Sequence, residues 1–280
     1  METRLRKKIS DGRTFEQIEN HYQVETAIAT RLKKAKSTYE RKMIYRTMYS
    51  ELFERVPDHP RLQPSKSEAD AEISNRSKLR LVRKFLTKSS TFVEFGPGDC
   101  KFVTYVSDRV NFAYGVDISD QRSERDNGLN NFELIIYDGY DLNMNDDSAD
   151  VVFSDQLIEH FHPDDTYFHF RLVRRILKPG GVYIFRMPHR FTGPHDISGY
   201  FLDHPEGFHL REWTYIEIAE LLKSVEYSNW WGCWCPRAIC LRLPFVYFRI
   251  SERVLRICPR RIREILSRAM LPNLTMVAVK

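Results

Sequence analysis

The residues best suited to chemistry lie at 93–100, where a short apolar run ends in two closely spaced glycines. Gly96 and Gly98 allow the backbone to approach a bound ligand closely, because a turn without side chains leaves its N–H groups accessible. A dinucleotide fingerprint would need a third small residue at the position of Lys101. The acid, Glu94, precedes the first glycine, and a carboxylate there suits a positively charged ligand better than a pyrophosphate.

Two further places offer polar groups at the ends of apolar runs. Asp117 follows the run 111–116, about 20 residues beyond the glycine turn, which is where an acid can bind a ribose diol. It also suits the N-cap of a helix predicted at 119–126. The loop 188–201 is long and contains His, Asp, Arg and Tyr residues, and long polar loops at the ligand end of a sheet are usually functional.

That loop holds the candidates for catalysis. We predict His195 and Asp196 as an acid/base pair, with His189 as a further candidate, because a positioned base accelerates proton transfer about 10²–10⁴-fold. The alternative is that these residues only cap and brace their own loop. His160 has a weaker case, since a histidine one helical turn past a strand end more often packs or caps.

The elements that must position these groups alternate between strands and helices. Helices are predicted at 98–108 and 163–177. The alternation predicts an α/β fold with a parallel, doubly wound sheet and the ligand at the carboxyl ends of its strands. The five predicted strands of this alternation are residues 91–95, 111–116, 132–137, 150–155 and 182–187, and two more strands are predicted at 227–233 and 274–279.

The order of these motifs resembles that of class I S-adenosylmethionine (SAM)-dependent methyltransferases. An acid followed by G-x-G-x-G is similar to their first motif, with Cys100 in place of the third glycine, and Leu-Lys-Pro-Gly-Gly at 177–181 is similar to their signature before the fifth strand. The resemblance covers 78–235 and 272–280 and implies a seven-stranded Rossmann-like sheet whose last strand is antiparallel. It implies SAM as cofactor and no metal. The cofactor residues it implies are Glu94, Gly96, Gly98, Asp117, Ile118, Asp138, Gly139, Ser154 and Asp155.

Two segments flank or interrupt this domain. Residues 1–75 are predicted to be an N-terminal helical segment, and 76–280 the SAM-binding domain, with a basic amphipathic insertion at 236–270. The insertion could lie on an anionic membrane, cover the active site or form a dimer face, and we favour the cover. The apolar stripes of the N-terminal helices are Val24, Ala27, Ile28 and Leu32, and then Tyr39, Met43, Met48 and Leu52.

Composition places the chain in a broad class. Its 280 residues are 42% hydrophobic and 29% charged, with a net charge of +5, a balance typical of soluble globular proteins. No apolar run reaches the roughly 18 residues of a membrane span, and the first residues lack the apolar segment of a secretory signal. Of five cysteines, Cys233, Cys235 and Cys240 cluster, which favours ordinary packing over a zinc site. We expect a cytoplasmic protein, with peripheral contact at the inner membrane face through 236–270 as an open alternative.

These observations predict a SAM-dependent methyltransferase that methylates an oxygen of a small molecule, a saccharide or a lipid-linked glycan. The acceptor class comes from a likeness of the loop at 193–198 to bacterial members thought to modify glycans or lipids. The alternatives are an RNA or protein methyltransferase that uses the basic flanking segments, or a SAM-binding scaffold without catalysis. Nucleic acid is the less expected partner, because the chain lacks the Asn/Asp-Pro-Pro-aromatic motif of amino-directed nucleic-acid enzymes.

Overall fold

A single eight-stranded sheet carries the fold in the computed structural model, which describes residues 5–62, 68–122, 128–236 and 239–280. The strand order is β3-β2-β1-β4-β5-β8-β6-β7, with β1 to β5 parallel and β8 antiparallel to both of its neighbours. The strands are β1 Thr91–Phe95, β2 Phe112–Asp117, β3 Phe132–Ile136, β4 Ala149–Asp155, β5 Leu177–Met187, β6 Asn229–Trp234, β7 Leu241–Leu243 and β8 Leu274–Val279.

Helices cover both faces of this sheet. The helices are α1 Phe15–Lys34, α2 Thr38–Arg55, α3 Glu68–Val82, α4 Lys101–Ser107, α5 Pro163–Ile176, α6 Tyr215–Ser224, α7 Phe245–Ile257 and α8 Arg260–Met270. Alternate residues of β1 enter different cores, since side chains alternate along a strand. Phe92 packs in the core that includes residues of α3 and α4, whereas Val93 and Phe95 pack in the core that includes residues of α5, α6 and α7.

The predicted doubly wound α/β class is confirmed, and the differences are local. The sheet has eight strands where seven were predicted, because β7 inside the insertion pairs with β6 and covers the sheet edge. β5 begins at Leu177, five residues before its predicted start, since 178–181 continue alongside β4 through a register shift. The helix predicted at 119–126 is not formed at 119–122, and 123–127 lie outside the described residues.

The N-terminal helices α1 and α2 pack on each other and on Phe208 and Leu210 of the loop before α6. Each begins with a capping box, which fixes its first turn. The first predicted stripe is buried apart from Ala27, but the second is shifted. Tyr39 and Met43 are exposed, because α2 buries instead the face formed by Arg41, Tyr45, Met48 and Leu52. α3 runs through residue 75, the predicted end of the helical segment.

The insertion forms α7 and α8 beside the antiparallel strands. Phe248 of α7 stacks on Tyr215, with ring centroids 4.0 Å apart, and the Glu252 carboxylate accepts hydrogen bonds from the first N–H groups of α6. On α8, the Ser267 hydroxyl donates to the carbonyl of Phe191 at 2.9 Å. The insertion thus packs against the loop after β5, and its described residues do not line the cavity at the strand ends.

The cysteines near the insertion differ from the prediction. Cys235 and Cys240 are joined by a disulfide between β6 and β7, whereas the sequence predicted ordinary packing of this cluster. Cys233 is buried and has no disulfide partner among the described residues. Within the described ranges, every helix is too short or too polar to traverse a bilayer.

Candidate active site

A cavity of about 360 Å³ opens at the carboxyl ends of β1, β2 and β4, under α2. The sheet supplies its floor, and Tyr45, Met48 and Tyr49 of α2 supply its roof together with Arg61. Ligands of open α/β sheets bind at this edge. The predicted cofactor residues that line it are Gly96, Gly98, Asp117, Ile118, Gly139 and Asp155.

The glycine turn after β1 shapes the cavity wall. Gly96 and Gly98 have φ angles of 67° and 57°, in the left-handed region that glycine adopts most readily. A Cβ on Gly98 would meet no atom within 4 Å, so that face of the turn is open to a ligand. Cys100 also has a left-handed φ, of 60°, which explains why a glycine would suit this third position of the motif.

Asp117 connects the turn to the end of β2. One carboxylate oxygen accepts from the Gly98 N–H at 3.2 Å, and the other accepts from the Ile118 N–H at 2.7 Å. Burial raises the pKa of this carboxyl. A carboxylate fixed in this way at the cavity wall keeps acceptor capacity for a ligand diol, so the site fits the ribose of a nucleoside.

Asp155 and Glu94 contribute in different ways. Asp155 lines the cavity and is held by Arg186 through two hydrogen bonds of 2.7 and 2.6 Å. Glu94 lies behind the cavity wall and is 1% exposed, with one oxygen 3.4 Å from the Lys78 ammonium. Its other oxygen has no hydrogen-bond partner among the described residues, and burial raises the pKa of the carboxyl to about 7. Its predicted contact with a cationic ligand is therefore not direct in this structure.

Asp138 and Ser154 do not line the cavity. Asp138 accepts from the N–H groups of Tyr140 and Asp141, each at 2.9 Å, and pairs with Lys42 of α2 at 2.7 Å. Ser154 is buried and hydrogen-bonds the Tyr183 hydroxyl at 2.7 Å. Both predicted cofactor residues thus support the wall from behind.

A second cavity of about 280 Å³ adjoins the first and shares Tyr49, Arg61 and His160 with it. Its lining is strongly polar and brings together side chains from α1, the segment after α2, the turn after β4 and the loops before α6. The titratable residues of this lining are Arg13, His21, Glu25, Tyr49, His59, Arg61, His160, His195, Asp196, Tyr200 and His209. Such a cavity can hold a polar ligand beside whatever occupies the first cavity.

The predicted catalytic residues separate in the structure. His195 and Asp196 both line the second cavity but do not form a pair: Asp196 accepts from the Ser198 N–H at 3.2 Å and the Gly207 N–H at 2.8 Å. Desolvation by neighbouring groups lowers the pKa of the His195 imidazole, although its side chain remains accessible. A neutral imidazole is the form that accepts a proton.

His189 is placed differently from the prediction. Its side chain is fully buried, and its Nε2 lies 2.9 Å from a carboxylate oxygen of Glu252 on α7. Its Nδ1 accepts from the Phe191 N–H at 3.1 Å. His189 therefore braces the loop after β5 against the insertion and does not reach either cavity.

No sequence motif predicted the residues that close the cavity from the N-terminal side. Arg41 of α2 is buried and binds Asp165 of α5 with hydrogen bonds of 2.8 and 2.7 Å, which holds α2 over the cavity. The hydroxyls of Tyr45 and Tyr140 donate to the same carboxylate. For Arg41, the only local indication in the sequence was its helical spacing from apolar residues of α2. Arg61 follows Pro57 and Pro60, and no pattern around it predicted a position in the cavity.

Comparison with known proteins agrees with this geometry. Residues 93–185 match the family model described as a methyltransferase domain. A search of curated proteins gives no match.

Solved structures share the fold at low sequence identity. A SAM-dependent methyltransferase from Mesorhizobium loti is 18% identical, with a TM-score of 0.52 over 74% of this chain and 100% of the other. One from Thermotoga maritima is 17% identical, with a TM-score of 0.52 over 81% and 97%. A phosphoethanolamine N-methyltransferase from Haemonchus contortus, solved with phosphoethanolamine and S-adenosylhomocysteine, is 19% identical, with a TM-score of 0.55 over 72% of this chain and 46% of that one.

The solved structures share the fold of this chain, and the matched family model spans the glycine turn, β2, β3, β4 and most of β5. The glycine turn after β1 and the acids Asp117 and Asp155 lie around one cavity, at the edge where this fold binds its ligands. Residues 93–185 are thus a methyltransferase domain, in a chain that has the fold of SAM-dependent methyltransferases.

Proposed function

We propose that this enzyme methylates an oxygen of a small molecule, a saccharide or a lipid-linked glycan. The observation that carries the proposal is the histidine-lined second cavity that shares a wall with the cofactor cavity. At about 280 Å³ it suits a compact polar group, and its imidazoles can accept the proton of a hydroxyl.

The chemistry required of the chain is positioning and proton removal. SAM supplies an activated methyl group when bound. The acceptor oxygen forms the new bond to the methyl carbon as the carbon–sulfur bond breaks, and its proton goes to a base of the second cavity. His195 is the leading base, because its lowered pKa keeps it neutral near pH 7. Positioning two reactants contributes on the order of 7–11 kcal/mol, so the cavity walls matter as much as the base.

Paired charges in the N-terminal helices weaken the case for RNA or protein acceptors. Arg41 is buried against Asp165, Arg31 pairs with Glu51, and Lys42 pairs with acids of the loop after β3. These three basic residues are therefore largely neutralised by the fold. The Haemonchus contortus structure holds phosphoethanolamine, a small polar molecule, which is in keeping with a small polar acceptor.

The acceptor class can be tested with methyl-labelled SAM and fractionated cell extract. We expect label in the polar small-molecule or lipid fractions. His195→Ala should lower the transfer by about 10²–10⁴-fold. His204→Ala is the matched control, because its exposed side chain pairs with Asp203 and Glu206 outside the second cavity. Label confined to RNA or protein would overturn the proposal.

We also propose that the insertion contacts an anionic lipid surface. α7 exposes Val246, Ile250, Val254 and Ile257 at helical spacing, and Ile257 is 83% exposed. α8 adds Ile262, Ile265 and Leu266. Exposed arginines flank this apolar face on both helices: Arg249, Arg253, Arg256, Arg261 and Arg268. An apolar stripe bordered by cations has the complementarity that binds amphipathic helices to anionic bilayers.

Liposome sedimentation tests this contact. Vesicles of phosphatidylglycerol and phosphatidylcholine should bind the protein, salt should release it, and pure phosphatidylcholine vesicles should bind it weakly. Ile257→Asp should abolish the binding, whereas Ile73→Asp on α3, at a residue also exposed (63%), should not. Equal binding of both variants, or a dimer in sedimentation that Ile257→Asp dissociates, would contradict a lipid-binding face.

A further inference from the structure

We propose that Glu159, His160 and His209 form a binding site for one divalent transition-metal ion between the two cavities. Glu159 and His160 lie in the 3-10 turn Ile158–His160 after β4, and His209 lies in the loop before α6. The site goes beyond the methyl transfer proposed above. A role of the bound ion in methyl transfer rests on the proposed function, but the metal site itself does not.

The donor atoms converge. A carboxylate oxygen of Glu159 and one ring nitrogen from each histidine lie within 4.8 Å of one another. Ligand bonds of about 2.0–2.2 Å in a tetrahedral site set donor atoms about 3.4 Å apart. Small side-chain rotations would therefore bring the three groups onto one ion.

Glu159 supplies the independent reason to expect a ligand. Its side chain is 0% exposed, and neither carboxylate oxygen has a hydrogen-bond partner among the described residues. A buried carboxylate without partners is strongly unfavourable, because nothing replaces the water it has lost. A metal ion bound to this oxygen would supply the missing partner.

On both histidines, the Nδ1 atom faces an oxygen of the protein. The Nδ1 of His160 lies 3.0 Å from the carbonyl oxygen of Phe208, and the Nδ1 of His209 lies 3.0 Å from a carboxylate oxygen of Glu212. An acceptor at Nδ1 places the proton there and leaves the Nε2 lone pair free for a metal. Carbonyl and carboxylate groups of this kind orient metal-bound histidines and increase their basicity.

A second cluster of the same composition, His21, Glu25 and His59, provides the contrast. Its donor atoms are used within the protein: the Glu25 oxygens bond the His21 ring at 2.8 Å and the Phe208 N–H at 2.8 Å. The Arg13 guanidinium lies 2.8 Å from the other nitrogen of His21. A cation beside satisfied donors disfavours metal binding, so this cluster serves as the internal control.

The donor set indicates the class of ion and its use. Two imidazoles and one carboxylate suit zinc, cobalt or iron in the divalent state better than magnesium, and three protein ligands leave coordination positions open. His160 lines both cavities, so an ion held by it would lie beside the acceptor. A hydroxyl bound to such an ion loses its proton more readily.

Cobalt(II) is the probe, because its visible absorption reports coordination by nitrogen and oxygen. Chelator-treated full-length protein should bind one equivalent with a new visible band. Glu159→Gln and His209→Ala should each weaken cobalt binding by at least about 10–100-fold. Mutation of residues that only hydrogen-bond metal ligands already lowers metal affinity by this factor. His21→Ala should bind cobalt as the wild type does. Glu159→Gln keeps the shape of the side chain and removes a buried charge, and retained S-adenosylhomocysteine binding would verify its fold.

Each other outcome overturns the site. Absence of a band, equal binding by Glu159→Gln, or loss of binding only in His21→Ala would place no ion on Glu159, His160 and His209. Methyl transfer is scored separately with the labelled cofactor. Methyl transfer by metal-free protein at the full rate would support the proposed function and show that the ion takes no part in the reaction. Cobalt binding without any methyl transfer would support the metal site and contradict the proposed function.

Discussion

The ion pair that holds α2 over the cofactor cavity gives the sharpest prediction. Arg41 and Asp165 have side chains 5% and 6% exposed, and Nε and Nη2 of the guanidinium donate to both carboxylate oxygens at 2.7–3.0 Å. Arg41→Met would remove those donors and leave a buried carboxylate. Removing one partner of a buried pair costs about 3–5 kcal/mol. The hydroxyls of Tyr45 and Tyr140, at 3.1 and 2.7 Å from the carboxylate, remain as donors, so we expect about 3 kcal/mol.

Urea unfolding measures this loss, and the neighbouring residue is its control. Lys42 pairs with Asp138 and Asp141 at the surface, so Lys42→Met should cost no more than about 1 kcal/mol. Adding Asp165→Asn to Arg41→Met should recover part of the loss, because no buried charge is then left unpaired. SAM affinity should fall with Arg41→Met as well, since Tyr45 and Asp165 line the cofactor cavity.

Two results would contradict a role of this ion pair in holding α2. If Arg41→Met is no more destabilising than Lys42→Met, the buried pair does not hold α2 in place. If Asp165→Asn makes the Arg41→Met protein less stable still, the loss comes from packing of the arginine side chain and not from a stranded carboxylate.

Three further predictions concern the cofactor site. S-adenosylhomocysteine at a hundredfold excess over its Kd should stabilise the protein by about 2.7 kcal/mol in a thermal melt, and NAD should not. Asp117→Ala should weaken SAM binding about 10- to 150-fold in calorimetry through loss of about 1.5–3 kcal/mol, and His195→Ala should leave it unchanged; equal losses would contradict the ribose role. Burial raises the pKa of Glu94 to about 7 from 4.5, so the folded state holds its proton more tightly than the unfolded state. Between about pH 5 and about pH 8 the wild type should therefore lose about 2.5 kcal/mol of stability relative to Glu94→Gln, and a pH-independent difference in urea unfolding would refute the shift.

The sequence was most informative where chemistry is local to the chain. The glycine turn at 96–98, the acid ending β2 and the strand–helix alternation are short-range patterns, and each predicted its element close to its observed place. The last strand, Leu274–Val279, was predicted at its observed bounds, since an apolar run buried on both faces has few alternatives.

Tertiary structure decided which polar groups face the cavities. His189 and His195 lie in the same loop six residues apart, yet one is buried against Glu252 of α7 and the other lines the second cavity. Nothing within the loop distinguishes them, because the partner of His189 is 63 residues further along the chain. Asp196 likewise caps its own loop and does not pair with His195.

The α/β class, the glycine turn and the resemblance to methyltransferases could be predicted from the sequence, because these depend on residue types and spacings within about 20 residues of each other. Only the tertiary structure brought α1 and α2 over the carboxyl edge and joined Glu159 and His160 to His209, about 50 residues away. Contacts of that separation depend on how whole elements pack, and packing is set by burial and shape across the molecule, which no local pattern records.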